Sequence, residues 1–152
     1  MVGFKPKNPD FEARCQDSFD RQQAMKALGL VLGTVGPGHV EMLMPYDEEF
    51  TQQHGFIHAG ILSTALDSAC GYAAFSLMPA DAAVLTIEFK INFLSPARGE
   101  RFVFRAEVTK PGRTISVADG KAFAIDEEGS EKLIATMTGT MMAVIGRDGI
   151  VG

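Results

Sequence analysis

Over residues 85–93 apolar and polar side chains alternate without a break: Leu85, Ile87, Phe89, Ile91 and Phe93 against Thr86, Glu88, Lys90 and Asn92. A period of two marks a strand with one face in a core. Ser95-Pro96-Ala97-Arg98-Gly99 breaks the run, and Phe102, Phe104, Ala106 and Val108 resume the pattern as far as the Pro111-Gly112 turn. Residues 114–125 and 133–145 read as two further strands, joined through Asp126-Glu127-Glu128-Gly129. Connections this short force antiparallel neighbours, because a parallel pair needs a crossover of about a dozen residues or more.

Upstream, residues 60–76 are apolar nearly all round and rich in alanine, which predicts a helix buried on most sides; Leu77-Met78-Pro79 ends it. Residues 30–35 and 40–44 flank Gly36-Pro37-Gly38 as a hairpin. Residues 11–28 place Phe11, Cys15, Phe19, Met25 and Leu28 among charged neighbours, as an amphipathic helix would, so residues 1–28 form an N-terminal helical segment. The architecture these elements define is α+β: a strongly curved antiparallel sheet wrapped around one central helix. Residues 1–152 make one domain, and the tail 146–152 is expected to fray.

Bulk composition narrows the function. Hydrophobic residues at 46% against 22% charged suit a soluble chain with a real core. A net charge of −5 gives nucleic-acid binding no electrostatic support. The first fifteen residues lack the apolar stretch of a signal peptide, and no run reaches membrane-spanning length. With only Cys15 and Cys70, nothing marks a disulfide framework, so the expected setting is the cytoplasm with reduced thiols. One stretch departs from the acidic average: residues 97–121 hold six basic side chains (Arg98, Arg101, Arg105, Lys110, Arg113, Lys121) against Glu100, Glu107 and Asp119. That is either a set of solvated strand edges or a footing for an anionic ligand.

The chemistry concentrates where a polar loop, QQHGFIHAG, runs into the apolar helix. His54 and His58 are four apart, but no Glu follows His54, Gly55 disfavours a helix there, and His39 is the only other histidine, so no metal site is expected. The helix start offers something else. Its first N–H groups have no partner within the helix and carry the positive end of the macrodipole. Ala59 and Gly60 are small enough to let a carbonyl oxygen approach them, unless they serve only tight packing. Asp67 stands alone among Ala65, Leu66, Ala69 and Cys70, and a buried carboxylate is costly unless paired, for instance with Ser63 or Ser68, or used as a base or nucleophile.

The string Gln52-x5-His58-Ala59-Gly60-x6-Asp67, followed by a strand ending in Asn92-Phe93-Leu94-Ser95-Pro96-Ala97, resembles the hotdog-fold acyl-CoA thioesterases, most nearly those of the phenylacetic-acid-degradation type. The similarity spans residues 28–145. It implies a six-stranded antiparallel sheet around one helix, paired into homodimers that often stack as tetramers, and no metal or organic cofactor. By the same resemblance Gln52 lies near the thioester, the Ala59 N–H beside Gly60 is the oxyanion donor, Asp67 is the catalytic carboxylate, and Thr86 matches a hydroxyl that places the attacking water. Two departures are visible: the usual H-G-G reads His58-Ala59-Gly60, and Gln52 replaces the more usual Asn. The first alters shape more than chemistry, since an N–H is what is used; the second bears on acyl preference. Thr86 also belongs to the polar face of its strand with Glu88, Lys90 and Asn92, which favours plain exposure equally.

The reading that results is hydrolysis of an acyl-CoA thioester, with Lys110 and Arg113 suited to the CoA phosphates and His58 and Tyr72 among the substrate contacts. Two alternatives use the residues differently. A hydratase or dehydratase on the same fold would need the His54 or His58 side chain, and a non-catalytic acyl-CoA-binding protein would have no need of Asp67. Helix geometry adds a constraint. Eight residues separate Ala59 from Asp67, or ~12 Å along the axis, whereas reacting groups must come within ~3–3.5 Å. A second copy is therefore expected to supply the carboxylate.

Overall fold

The central helix α3 spans Ala59–Phe75 and is started by the side chain of His58, whose backbone is extended and whose ring accepts a hydrogen bond from the Gly60 N–H. Its second half is enclosed, with every residue from Ala69 to Phe75 buried. Its first half is closed only on the Leu62, Ala65 and Leu66 side, leaving Ile61, Ser63, Thr64, Asp67 and Ser68 half-buried. Pro79 lies just beyond the cap at Ser76, where no helical N–H could be supplied.

This is a computed structural model and it describes residues 3–152. The helices α1 (Phe11–Asp20) and α2 (Gln23–Ala27) precede the strands β1 (Val31–Gly36) and β2 (His39–Pro45); β3 (Ala82–Phe93), β4 (Arg101–Lys110), β5 (Ile115–Ile125) and β6 (Glu131–Ile145) follow α3. The six strands form one antiparallel sheet in the order β1-β2-β4-β5-β6-β3. Pro37 before Gly38, at a φ of 80°, turns β1 into β2. The concave side closes on α3 through Met42, Met44, Phe102, Phe104, Ala118, Ala122 and Met141, all 0–1% exposed. Helix and sheet come close at Cys70. A Cβ on Gly120 would lie 3.0 Å from its Sγ, so the glycine is what lets the helix seat.

Three expectations need correcting. Residues 11–28 form two helices rather than one, because the chain leaves helical geometry at Gln22, which has a ψ of 110°. Both still bury Cys15, Phe19 and Met25 as an amphipathic pattern requires. The tail 146–152 does not stray from the body: the Arg21 guanidinium donates to the Gly152 carbonyl. The third correction concerns β3. Its apolar side chains are not in the core of this chain, for Leu85, Ile87, Phe89 and Phe93 remain 41–54% exposed. β3 is an edge strand that runs past the cover α3 provides.

Candidate active site

A bulge in β3 decides where Thr86 points. Leu85 and Thr86 pair with Met142 and Met141, but Glu88 pairs with Thr140, so Ile87 is an extra residue. Two residues opposing one shift the alternation by a step. Glu88, Lys90 and Asn92 lie opposite Thr140, Thr138 and Thr136 on the outer face, while Thr86, opposite the buried Met141, faces the helix. Thr86 thus leaves the outer polar face, although it stays exposed, as its polar pattern leads one to expect. Its hydroxyl donates to Asp67 Oδ1 at 2.7 Å, and that is the partner of the lone helical carboxylate, not a serine.

Asp67 is partly desolvated. Burial raises its pKa above the ordinary aspartate value, and the hydrogen bond from Thr86 offsets part of that rise. Oδ2 has no hydrogen-bond partner among the described residues. Asp67 and Thr86 open onto a cleft of about 490 Å³ walled by Gly71, Tyr72, Phe75 and Val84. The Tyr72 hydroxyl is fixed by Gln22 Nε2, which donates to it at 2.7 Å, and by Ser18 Oγ at 3.2 Å.

At the other end of the same helical stretch, the loop doubles back through a Thr51–Ile57 bridge, and the Gln52 N–H donates to the Phe56 carbonyl. The Gln52 side-chain oxygen accepts from the His54 N–H, which holds this side chain in the loop leading to the helix start. His58 Nδ1 accepts from the Gly60 N–H at 2.9 Å, so the ring proton sits on Nε2. A Cβ on Gly60 would lie 3.2 Å from that Nδ1, a tight approach that the glycine avoids. The N–H groups of His58, Ile61 and Leu62 donate to backbone carbonyls. Among the described residues, that of Ala59 has no acceptor, and Ala59 itself is an exposed residue. An open N–H at the positive end of a helix is a fit donor for an oxyanion.

The remaining candidates separate. His54 is exposed and stacks loosely on Phe56, with ring centroids 6.5 Å apart. His54→Gln should therefore change kcat/KM less than twofold, and a chelator should leave activity intact; loss to chelator with rescue by zinc would contradict this. Arg113 lines a second cavity of about 300 Å³ together with Lys5 and Lys7, whereas Lys110 does not. Arg105 is spent on Glu41 and Glu131, and Arg98 lies over the Phe56 ring. Lys5 and Lys7 escaped sequence reasoning because they are far from Arg113 along the chain. Burial pushes both the Cys15 and Cys70 thiols up to about 12, which leaves neither as a thiolate nucleophile.

A curved antiparallel sheet around a helix, with an open N–H at the helix start and a desolvated carboxylate further along it, defines a hotdog-fold thioester hydrolase. Residues 54–130 match the model of the Thioesterase superfamily, and the chain belongs to that family. It is similar to a thioesterase family protein from Silicibacter pomeroyi at 62% identity, covering 90% of this chain and 99% of that one with a TM-score of 0.88. It is 31% identical over 88 residues to acyl-coenzyme A thioesterase 13 of Homo sapiens, 57% of this chain and 62% of the relative. The fold also matches the E. coli PaaI protein of the phenylacetic acid degradation operon, at 20% identity and a TM-score of 0.79, covering 93% of this chain and 96% of that one.

Proposed function

We infer that the chain hydrolyses acyl-CoA esters to free acid and CoA, in the cytoplasm, at sites built from two copies. The observation that carries the shared site is the unbroken helix Ala59–Phe75, which puts the open Ala59 N–H and the Asp67–Thr86 pair at opposite ends of a rigid ~12 Å span. A two-fold axis beside β3 runs the two helices antiparallel, so that the start of one faces the Asp67 region of the other.

The exposed β3 supports such pairing. A long, apolar edge strand invites another strand. Covering the exposed part of Leu85, Ile87, Phe89 and Phe93 on both copies contributes roughly 6–12 kcal/mol at ~1.5–3 kcal/mol per fully buried side chain. Association itself costs about 4–15 kcal/mol, so side-chain burial alone breaks even, and strand hydrogen bonds along the twelve-residue edge tip the balance. Stacking of dimers into tetramers is compatible with this arrangement.

In the assembled site the thioester carbonyl accepts from the Ala59 N–H beside Gly60 and His58, and Gln52 orients it. The Asp67 carboxylate of the partner copy takes a proton from water or attacks the carbonyl itself; Thr86 holds Oδ1 and leaves Oδ2 for that task. CoA leaves as the thiol. Single turnover in ¹⁸O-labelled water separates the two routes, since only nucleophilic attack labels Asp67. Tyr72 walls the acyl cleft, and no metal or organic cofactor is required. A hydratase reading loses support because Nδ1 of His58 is engaged with the Gly60 N–H and His54 points to solvent.

The test is a panel of acyl-CoA esters with a thiol-release readout: turnover supports hydrolysis, and stoichiometric binding without release would support an acyl-CoA-binding protein instead. Arg113, with Lys5 and Lys7 beside it, faces the CoA phosphates in this reading, with Lys110 peripheral to them. Arg113→Ala should raise KM for CoA esters severalfold but not for an acyl thioester lacking the nucleotide. An equal effect on both would show that Arg113 acts through folding.

A further inference from the structure

The segment after β6 is built to return. Gly146 and Gly149 have φ of 69° and 77°, conformations that L side chains rarely adopt, and the Ile150 N–H closes a turn on the Arg147 carbonyl. The reversed chain then meets the second half of α3. Arg21, just beyond α1, donates to the Gly152 carbonyl. Gly152 lies so close to its supports that a Cβ there would be 2.8 Å from the Phe75 ring and 2.5 Å from the Ala82 carbonyl oxygen. Residues 149–152 thereby line the same cleft that Asp67 and Thr86 open onto, on the side where Ser18, Arg21 and Gln22 also stand.

We propose that residues 149–152 are the far wall of the acyl cleft and set the length of acyl group the enzyme accepts. The proposal rests on the reading that this cleft takes the acyl chain. An acyl group whose carbonyl is near Asp67 passes along Gly71, Tyr72, Phe75 and Val84 before it meets the returning backbone. Gly152 seated against Phe75 joins that wall directly to the helix carrying Asp67. Arg21 pins the wall from one side while its Nε also contacts Asp17 at 3.3 Å, so the anchor belongs to α1 and not to the ligand.

Two variants remove the wall by different routes. Gly149→Val puts a β-branched residue at a φ of 77° and unseats the turn in the full-length chain. Deletion of residues 149–152 removes it outright. The quantity read is the ratio of kcat/KM for dodecanoyl-CoA to that for butyryl-CoA, with the ratio of Kd for the matching non-hydrolysable thioethers as a second readout. Both ratios should shift toward the longer chain by about tenfold in the deletion variant, and in the same direction in Gly149→Val. Unchanged ratios in a deletion variant that melts cooperatively, or in Gly149→Val with residues 150–152 unprotected from hydrogen exchange, would overturn the proposal. If the wild type turns over no acyl-CoA, the hydrolase reading fails on its own, and the thioether ratios still decide whether this segment is the wall.

Discussion

Asp67→Asn lowers kcat by ~10²–10⁴, the usual contribution of a positioned base, and leaves the fold intact. The side chain makes one hydrogen bond, from Thr86, and an Asn oxygen of the same shape accepts it equally well. What is lost is the capacity to take a proton or attack. The same substitution should raise thermal stability at neutral pH. Burial places the folded-state pKa of Asp67 above its unfolded value, so the folded state favours the protonated form. That stabilising contribution is complete below the ordinary aspartate value of 3.8 and is lost as pH rises through the folded value. At pH 7 the ionised, half-desolvated carboxylate therefore opposes folding, and Asn relieves it; in acid the difference disappears. The acid limb of the wild-type kcat–pH profile should accordingly lie above the ordinary aspartate range. A purified Asp67→Asn protein that hydrolyses acyl-CoA at the wild-type rate would make Asp67 structural.

The opposed effects on rate and stability are the physical signature of a residue kept for chemistry. They also show why Asp67 could be singled out from sequence: a carboxylate among Ala65, Leu66, Ala69 and Cys70 has no packing rationale. The helix start was legible for a similar reason, since His58-Ala59-Gly60 leaves a polar loop for an apolar run, and the structure adds only that His58 itself caps Gly60. Strand periodicity located β4, β5 and β6 to within about two residues. It failed on β3 in an instructive way. Alternation from Leu85 to Phe93 reads as one uninterrupted face, yet the bulge at Ile87 divides it, turning Thr86 inward to Asp67. Nothing in the side-chain pattern records an extra residue, because the register is set by β6 and not by β3.

Nor does periodicity say what covers a face. The apolar residues of β3 are expected in a core, yet within one chain Leu85, Ile87, Phe89 and Phe93 stand open at 41–54%. A core completed by a second molecule has the same sequence pattern as one completed by the same chain. The tail shows the reverse failure. Gly146 and Gly149 read as loose ends by composition, whereas their positive φ values make a defined reversal that Arg21 secures from far along the chain.

The shared site is tested most directly by complementation. Ala59 is the first residue of α3, where a helix tolerates proline, and His58 before it already has the extended backbone that a residue preceding proline requires. Ala59→Pro thus removes the donor N–H with little disturbance, and Asp67→Asn removes the carboxylate. Each homodimer should be nearly inactive. Refolding the two variants together in equal amounts makes about half of the dimers mixed, and each mixed dimer has one site with both groups intact. About a quarter of wild-type activity should return. Mixed dimers that form, as shown by mass spectrometry of the native species, yet remain as inactive as their parents would contradict a site built from two copies.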